Sequence, residues 1–228
     1  LAVGGELKAT FCIADFPHAY LSPHIGDLES LATLQALQRS VEHFLKLFQI
    51  EPDIVVSDMH PGYFSTQWAR DFASRRGVPL LQVQHHHAHL AALACEHGLA
   101  ADQPLLGICF DGTGFGNDGT IWGGEVLLVE NARFRRLAHL DPMPLPGGDK
   151  SIRKPYRTAL AALDAAGIAW REELPCVRAC GAQERRILHQ QLDRKFNRPP
   201  TSSMGRLFDA VASLIGVRQQ VSYEAQAA

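Results

Sequence analysis

The chain has 228 residues, 46% of them hydrophobic and 20% charged, and a net charge of −2. That is enough apolar sequence for one large or two small cored domains, and the near balance of charge argues against a nucleic-acid tail or a polybasic membrane surface. No apolar run approaches a bilayer span, and no charged-then-apolar start marks a signal peptide.

In chain order, Leu1 to Val3, a Gly4-Gly5-Glu6-Leu7 turn and Ala9 to Ala14 read as a β-hairpin, and His18 to Leu21 adds a short strand. Between Asp27 and Phe48 the apolar residues Leu28, Leu31, Leu34, Leu37, Val41, Phe44, Leu45 and Phe48 make a helical stripe. Pro52 ends it, and Ile54 to Val56 reads as a buried strand. A helix over Phe64 to Arg75 stops at Gly77, a strand follows over Leu80 to Val83, and an Ala-rich helix runs from His86 to His97 and closes at Gly98. Strands are expected over Leu105–Phe110, Thr120–Val129 and Arg133–His139. Beyond Pro146-Gly147-Gly148 the pattern turns helical over Arg153–Ala166, Ala182–Phe196 and Arg206–Gly216, with no convincing strand. Strands separated by helices predict parallel pairs and the hairpins antiparallel ones. The expectation is a mixed-sheet α/β lobe over residues 1–145, unlike a Rossmann domain, then a mainly helical segment over 146–228.

Five cysteines, Cys12, Cys95, Cys109, Cys176 and Cys180, show no framework spacing and read as reduced thiols of a cytosolic protein. Cys176 and Cys180 lie one helical turn apart and read as packed thiols rather than a ligand pair. The chain starts without Met inside an apolar run and ends on what reads as the first residues of a helix, so a piece of a longer polypeptide is expected.

Four of the eleven histidines fall in Gln84-His85-His86-His87-Ala88-His89. On a helix His85 and His89 point the same way and can share one ion; His86 and His89 are the other pair in reach. Alone, the run reads equally well as a wet helix start, and the zinc-protease pattern would need Glu at position 86. Asp111, placed directly after an apolar strand, adds a carboxylate, and two imidazoles with a carboxylate suit Fe²⁺ or Zn²⁺. The outer histidines are the expected ligands, with His86 and His87 as packing neighbours.

Glycine loops supply the second theme. Asp111-Gly112-Thr113-Gly114-Phe115-Gly116-Asn117-Asp118-Gly119 lacks a Gly-Lys-Ser/Thr and so is no P-loop, but lets backbone amides approach a phosphate. Gly4-Gly5-Glu6-Leu7-Lys8 is a second loop, with Lys8 either a cation for the reacting group or a solvated lysine. Pro146-Gly147-Gly148-Asp149-Lys150 is a third candidate. In Ser202-Ser203-Met204-Gly205-Arg206-Leu207-Phe208-Asp209 either serine can cap a helix, Gly205 allows close approach, and Asp209 can accept ribose hydroxyls. Arg153, Lys154 and Arg157 make a basic helix start, contrary to the dipole preference, which favours an anion nearby.

In this order QHHHAHLAA, DGTGFGNDGTIWGGE, PLPGGD and SSMGRLFDAVA, with LSPHIGDLE before them, resemble the HypF family, the carbamoyltransferases of nickel–iron hydrogenase maturation. The resemblance runs from end to end and implies the first part of a Kae1-like domain of the actin/hexokinase/Hsp70-like fold, with an RNase H-like first lobe and an incomplete second one. It implies that carbamoyl phosphate and ATP give carbamoyladenylate in domains upstream. The carbamoyl group then passes to the C-terminal cysteine of a HypE-type partner, AMP leaves, and dehydration there provides the cyanide ligands. By motif, His85, His89 and Asp111 are the implied ligands of a divalent metal, iron or zinc, acting as a Lewis acid. The implied nucleotide cradle takes Gly112, Thr113 and Gly114 from one motif, Gly147, Gly148 and Asp149 from the next, and Gly205, Arg206 and Asp209 from the last. Lys8 and Lys154 are assigned to the carbamoyl or phosphate end as catalytic residues, and no cysteine of the chain is needed as nucleophile. Position 225 holds Ala where the family pattern has Gly, and Met204 stands where Cys is frequent. The piece alone is expected to be inactive, its setting the cytoplasm, with no nucleic acid or membrane as partner. The rival readings are a related O-carbamoyl- or tRNA threonylcarbamoyltransferase, the latter expected to carry a basic stripe, and a non-catalytic nucleotide-binding docking module.

Overall fold

The computed structural model describes residues 1–100, 102–130, 132–223 and 225–227. The chain divides into two compact units, Leu1–Ala88 and His89–Ala228.

The first unit is built on a five-stranded mixed sheet. β1 (Ala2–Val3), β2 (Phe11–Asp15) and β3 (His18–Leu21) form an antiparallel meander, with Val3 opposite Phe11 and Ile13 opposite Tyr20. On its other edge β1 takes β4 (Val55–Asp58) in parallel, and β4 takes β5 (Leu80–Val83), giving the order β3-β2-β1-β4-β5. Parallel neighbours need crossovers. Here these are α1 (Leu31–Phe48) and α2 (Phe64–Arg76). α1 begins four residues after the expected start because Ser30 caps it, accepting the Thr33 amide, while the Asp27 carboxylate serves the Lys8 amide instead. Leu37, Val41 and Leu45 of α1 and Trp68, Ala69, Phe72 and Ala73 of α2 join Val3, Phe11, Ile13 and Val55 in one core. Each large side chain so buried contributes about 1.5–3 kcal/mol. α2 stops at Gly77, whose φ of +67° is left-handed, as expected of a glycine stop.

α3 (His85–Glu96) is one continuous helix in which the division between units falls. The second unit then opens with β6 (Leu105–Phe115), β7 (Ile121–Glu130) and β8 (Arg133–His139), an antiparallel meander. β6 is five residues longer than expected: the strand runs on through Asp111-Gly112-Thr113-Gly114, with an irregular register against β7 between Phe110 and Gly114. Asp111 therefore lies inside an irregular strand, and the tight turn comes later, at Gly116–Gly119. Two short strands are new: β9 (Met143–Pro144) and β10 (Pro200–Thr201) pair antiparallel, and Thr201 pairs in parallel with Ile121 of β7. Among the described residues five helices make up the rest: α4 (Asp149–Arg153), α5 (Pro155–Ala165), α6 (Pro175–Ala179), α7 (Ala182–Asp193) and α8 (Met204–Leu214). α6 was not expected; it buries Cys176 and Val177 against α5, α7 and α8, and Cys180 follows as its C-cap in the same core. The compact units divide at 88/89, and within the second one β10 ties the helical segment after residue 146 to β7. Among the described residues no helix is long and apolar enough to cross a membrane. Glu224 and Ala228, part of the expected terminal helix start, lie outside the described residues, and Ala225 adopts a φ of 59°, the left-handed region that favours glycine.

Candidate functional site

In the first unit the site is assembled at the carboxyl ends of the parallel strands, where α/β sheets form their ligand crevices. The Gly4–Lys8 turn leaves β1, residues 59–63 leave β4, and α3 follows β5. Glu6 is buried, and its carboxylate accepts the Ser65 amide at 3.3 Å in the first turn of α2, a helix whose Tyr63 N-cap offers no side-chain cap. Burial raises the Glu6 pKa, against the lowering effect of the Ser65 and Phe64 amides. Lys8 has a φ of 53°, and its amide is fixed by Asp27 at 2.8 Å. A Cβ on Gly5 would stand 3.9 Å from both the His85 and Tyr63 rings, so the turn runs close past both.

Asp58, the last residue of β4, holds His85: Oδ2 lies 2.8 Å from Nδ1, and Oδ1 accepts the His60 amide at 2.8 Å. The His60 ring stacks on Tyr63 with centroids 4.0 Å apart. None of Asp58, His60 and Tyr63 was expected from sequence. The signal available was a polar Asp-Met-His-Pro-Gly-Tyr run following a buried strand.

His85 and His89 lie one turn apart on α3, with ligand atoms within 4.8 Å of each other. His86 is fully buried, its ring 3.1 Å from the Gln84 amide nitrogen, and burial lowers the pKa of His87. These inner histidines are packing neighbours, as expected. In the second unit His89 and Asp111 bring ligand atoms within 4.8 Å. The Gly112 amide donates to Asp111 Oδ1 at 2.6 Å and so orients the carboxylate. In the first unit His85, backed by a buried carboxylate, and in the second His89 with Asp111 are donor types that suit a divalent ion of the iron or zinc type.

The start of α8 is locked onto the Asp111-Gly112 segment of β6. Ser203 is the cap: its Oγ accepts the Arg206 amide at 3.1 Å and faces the carbonyls of Asp111 and Gly112 at 2.9 and 2.8 Å. A Cβ on Gly205 would lie 2.9 Å from the Gly112 Cα, so glycine is needed there for the approach. Arg206 and Asp209 are both buried, with Nε and Oδ2 2.7 Å apart; burial raises the Asp209 pKa and the arginine opposes it. Ser202, the other capping candidate, donates to Glu125 instead. Glu125 is 0% exposed and also accepts Arg136 Nε at 2.7 Å and the amides of Gly123 and Gly124. Burial favours its neutral form, but those donors win and hold its pKa below the ordinary value. Arg136 in turn stacks on Trp122 at 4.0 Å. This platform beneath Ser202 was also not expected.

Two candidates are held elsewhere. The Gly147-Gly148 turn, with φ of +82° and +53°, lies beside Asn197, whose carbonyl accepts the Gly147 amide. The β9–β10 register puts it at the end of that pair opposite Ser203, up to about 20 Å away along extended chain. Asp149 is exposed at the start of α4. Lys154 has an internal partner, Glu184, at 3.1 Å, and so does Arg157 at 2.6 Å. The anion expected near the basic start of α5 is therefore a carboxylate of α7. Among the cysteines, Cys109 is pushed up to about 11 by burial, with Glu125 and Asp111 adding to it, and burial raises Cys176 and Cys180. None of these three is a ready thiolate.

Residues 1–96 match the family model described as the HypF Kae1-like domain, and residues 107–228 the one described as the second subdomain of the carbamoyltransferase Kae1-like domain. The carbamoyltransferase HypF2 of Cupriavidus necator is 46% identical over 228 residues, all of this chain and 28% of that relative. The carbamoyltransferase HypF of Synechocystis sp. is 41% identical over 242 aligned residues, all of this chain and 31% of that relative. The crystal structure of a full-length HypF in its phosphate- and nucleotide-bound form superposes with a TM-score of 0.90 at 42% identity, covering 99% of this chain and 29% of that one. The chain thus spans under a third of the length of each of these three.

Proposed function

The chain belongs to the HypF carbamoyltransferase family, and from that premise we propose that it binds carbamoyladenylate and passes the carbamoyl group to a C-terminal cysteine of a HypE-type partner, for the cyanide ligands of nickel–iron hydrogenase. The observation that carries this reading is the joint between two motifs 91 residues apart, where Ser203 at the start of α8 grips the Gly112 carbonyl at 2.8 Å. The start of α8, with the positive end of its dipole, is then held against the glycine segment of β6, a setting suited to a phosphate. Arg206, 4.0 Å from where a Gly112 Cβ would stand, adds a cation, and Asp209 is the acceptor for ribose hydroxyls. His85, His89 and Asp111 would hold the divalent metal, iron or zinc, which when bound supplies Lewis acidity to the carbamoyl carbonyl or the adenylate phosphate. Lys8 would stabilise charge at the reacting centre. The partner's thiolate attacks the carbamoyl carbon, the C–O bond to the adenylate breaks, and AMP departs with the electron pair. Lys154, paired with Glu184, is better suited to holding α5 in place than to the reaction.

The test gives the whole protein carbamoyl phosphate, ATP and a peptide ending in cysteine, and follows the peptide by mass spectrometry. A carbamoylated cysteine with AMP released is the expected result, lost in Asp111→Asn. A carbamoyladenylate that stays bound and unreacted with every acceptor overturns this reading in favour of a docking module.

A further inference from the structure

We infer that Asp58 is a positioning residue for His85, fixing its imidazole as the tautomer that carries the proton on Nδ1 and the lone pair on Nε2; this rests on the reading of His85 as a metal ligand. β4 and β5 set the geometry. Asp58 pairs with Val83 in the parallel register, and His85 lies two residues further on. The Asp58 side chain is 6% exposed, and its Oδ2 lies 2.8 Å from His85 Nδ1. An ionised carboxylate can only accept, so the ring nitrogen facing it must carry the hydrogen. The carboxylate cannot swing away without loss, because Oδ1 holds the His60 amide at 2.8 Å. The backbone there is fixed as well: the Asp58 carbonyl accepts Thr66 Oγ1 at 3.0 Å and Gln82 Nε2 at 3.4 Å. The lone pair of His85 is thus turned away from Asp58, and the buried negative charge behind the ring makes Nε2 a stronger donor to a cation. Removing such a carboxylate typically costs 10–100-fold in metal affinity.

The test has two arms. The protein, labelled with ¹⁵N at histidine, is read by long-range proton–nitrogen correlation at about pH 8, above the ordinary histidine pKa. His85 is expected as the Nδ1–H tautomer in the native chain and chiefly as the Nε2–H tautomer in Asp58→Ala. In the second arm Co²⁺ is titrated alone. Asp58→Ala is expected to weaken its binding about 10–100-fold, and the isosteric Asp58→Asn, which guards against misfolding, by a smaller factor with a shifted Co²⁺ absorption band. An Nε2–H tautomer in the native chain, or Co²⁺ affinity within twofold of native in both variants, overturns the inference. His89→Ala separates it from the ligand reading: that variant is expected to lose Co²⁺ affinity while the His85 tautomer stays. Unchanged Co²⁺ binding in His89→Ala would sink the metal site and leave the tautomer result standing.

Discussion

Arg157 is 2% exposed, and a guanidinium so deep needs a countercharge. Glu184 supplies it, accepting Arg157 Nη1 at 2.6 Å together with Tyr156 and Lys154. Arg157 also donates to the Pro146 carbonyl at 3.1 Å, so this one side chain fixes the Pro146-Gly147 turn to α7. Burial works against the Glu184 carboxylate, but the hydrogen bonds from Tyr156, Lys154 and Arg157 outweigh it and bring the pKa down to about 2. A carboxyl whose folded pKa is depressed stabilises the fold above its unfolded pKa and loses that contribution as pH falls through the folded value. Glu184→Gln should therefore destabilise the chain by about 3–5 kcal/mol near neutrality, since it leaves Arg157 buried without its charge partner. The gap to the native chain should narrow between about pH 4.5 and 2, as native Glu184 takes up its own proton. Urea melts followed at several pH values measure this, and a gap that does not change with pH would count against the ion pair.

At the scale of elements, sequence legibility followed how local each signal is. β3, β5 and β8 match their expected bounds because Pro17, Pro23, Pro79 and Pro142 punctuate the sequence around them. α1 and α2 were legible from apolar period and a glycine stop. β9 and β10 have two residues each, and what makes them strands is pairing across more than fifty residues of chain, which leaves no local pattern. The glycines of Asp111–Gly114 read as a turn, yet the strand continues, because Gly123 on β7 leaves room for the Asp111 carbonyl to press in. The one-turn spacing of His85 and His89 and a serine cap on α8 were legible. Asp58 and Glu125 were not: a single acid has no periodicity, and its role is set by the strands it ends up beside. The contact of Gly205 with Gly112 gives this scale its test. In Gly205→Ala the new methyl would meet the backbone Cα of Gly112 at 2.9 Å, and backbone can yield only by moving α8 away from β6. The expected cost is about 1–3 kcal/mol of stability. On the proposed nucleotide-binding role, ATP binding by calorimetry is expected to weaken by tenfold or more, while Gly181→Ala, where a Cβ meets nothing within 4 Å, leaves it unchanged.

For the molecule as a whole, the core of the first unit is closed by residues between Leu1 and Leu80, and among the described residues the second unit holds two cores of its own. Leu90 belongs to the second. It is 4% exposed and packs with Cys109, Trp122, Leu127 and Val129. Its methyl groups fill the space over Gly107, where any larger residue of β6 would collide with them. Leu90→Ala would open a void that neighbouring β-strands cannot close without breaking their ladders, at a cost of about 2–5 kcal/mol. With two units a single unfolding free energy is poorly defined, so the measurement should be local. Native-state hydrogen exchange is such a readout, since protection falls with the free energy of the unit that opens. In Leu90→Ala the amides of β6, β7 and β8 should exchange about 30-fold faster or more, the factor that 2 kcal/mol implies, while those of β1, β4 and β5 keep native rates. Equal acceleration in both units would mean that they open together, and the separate cores would not then be separate units of stability.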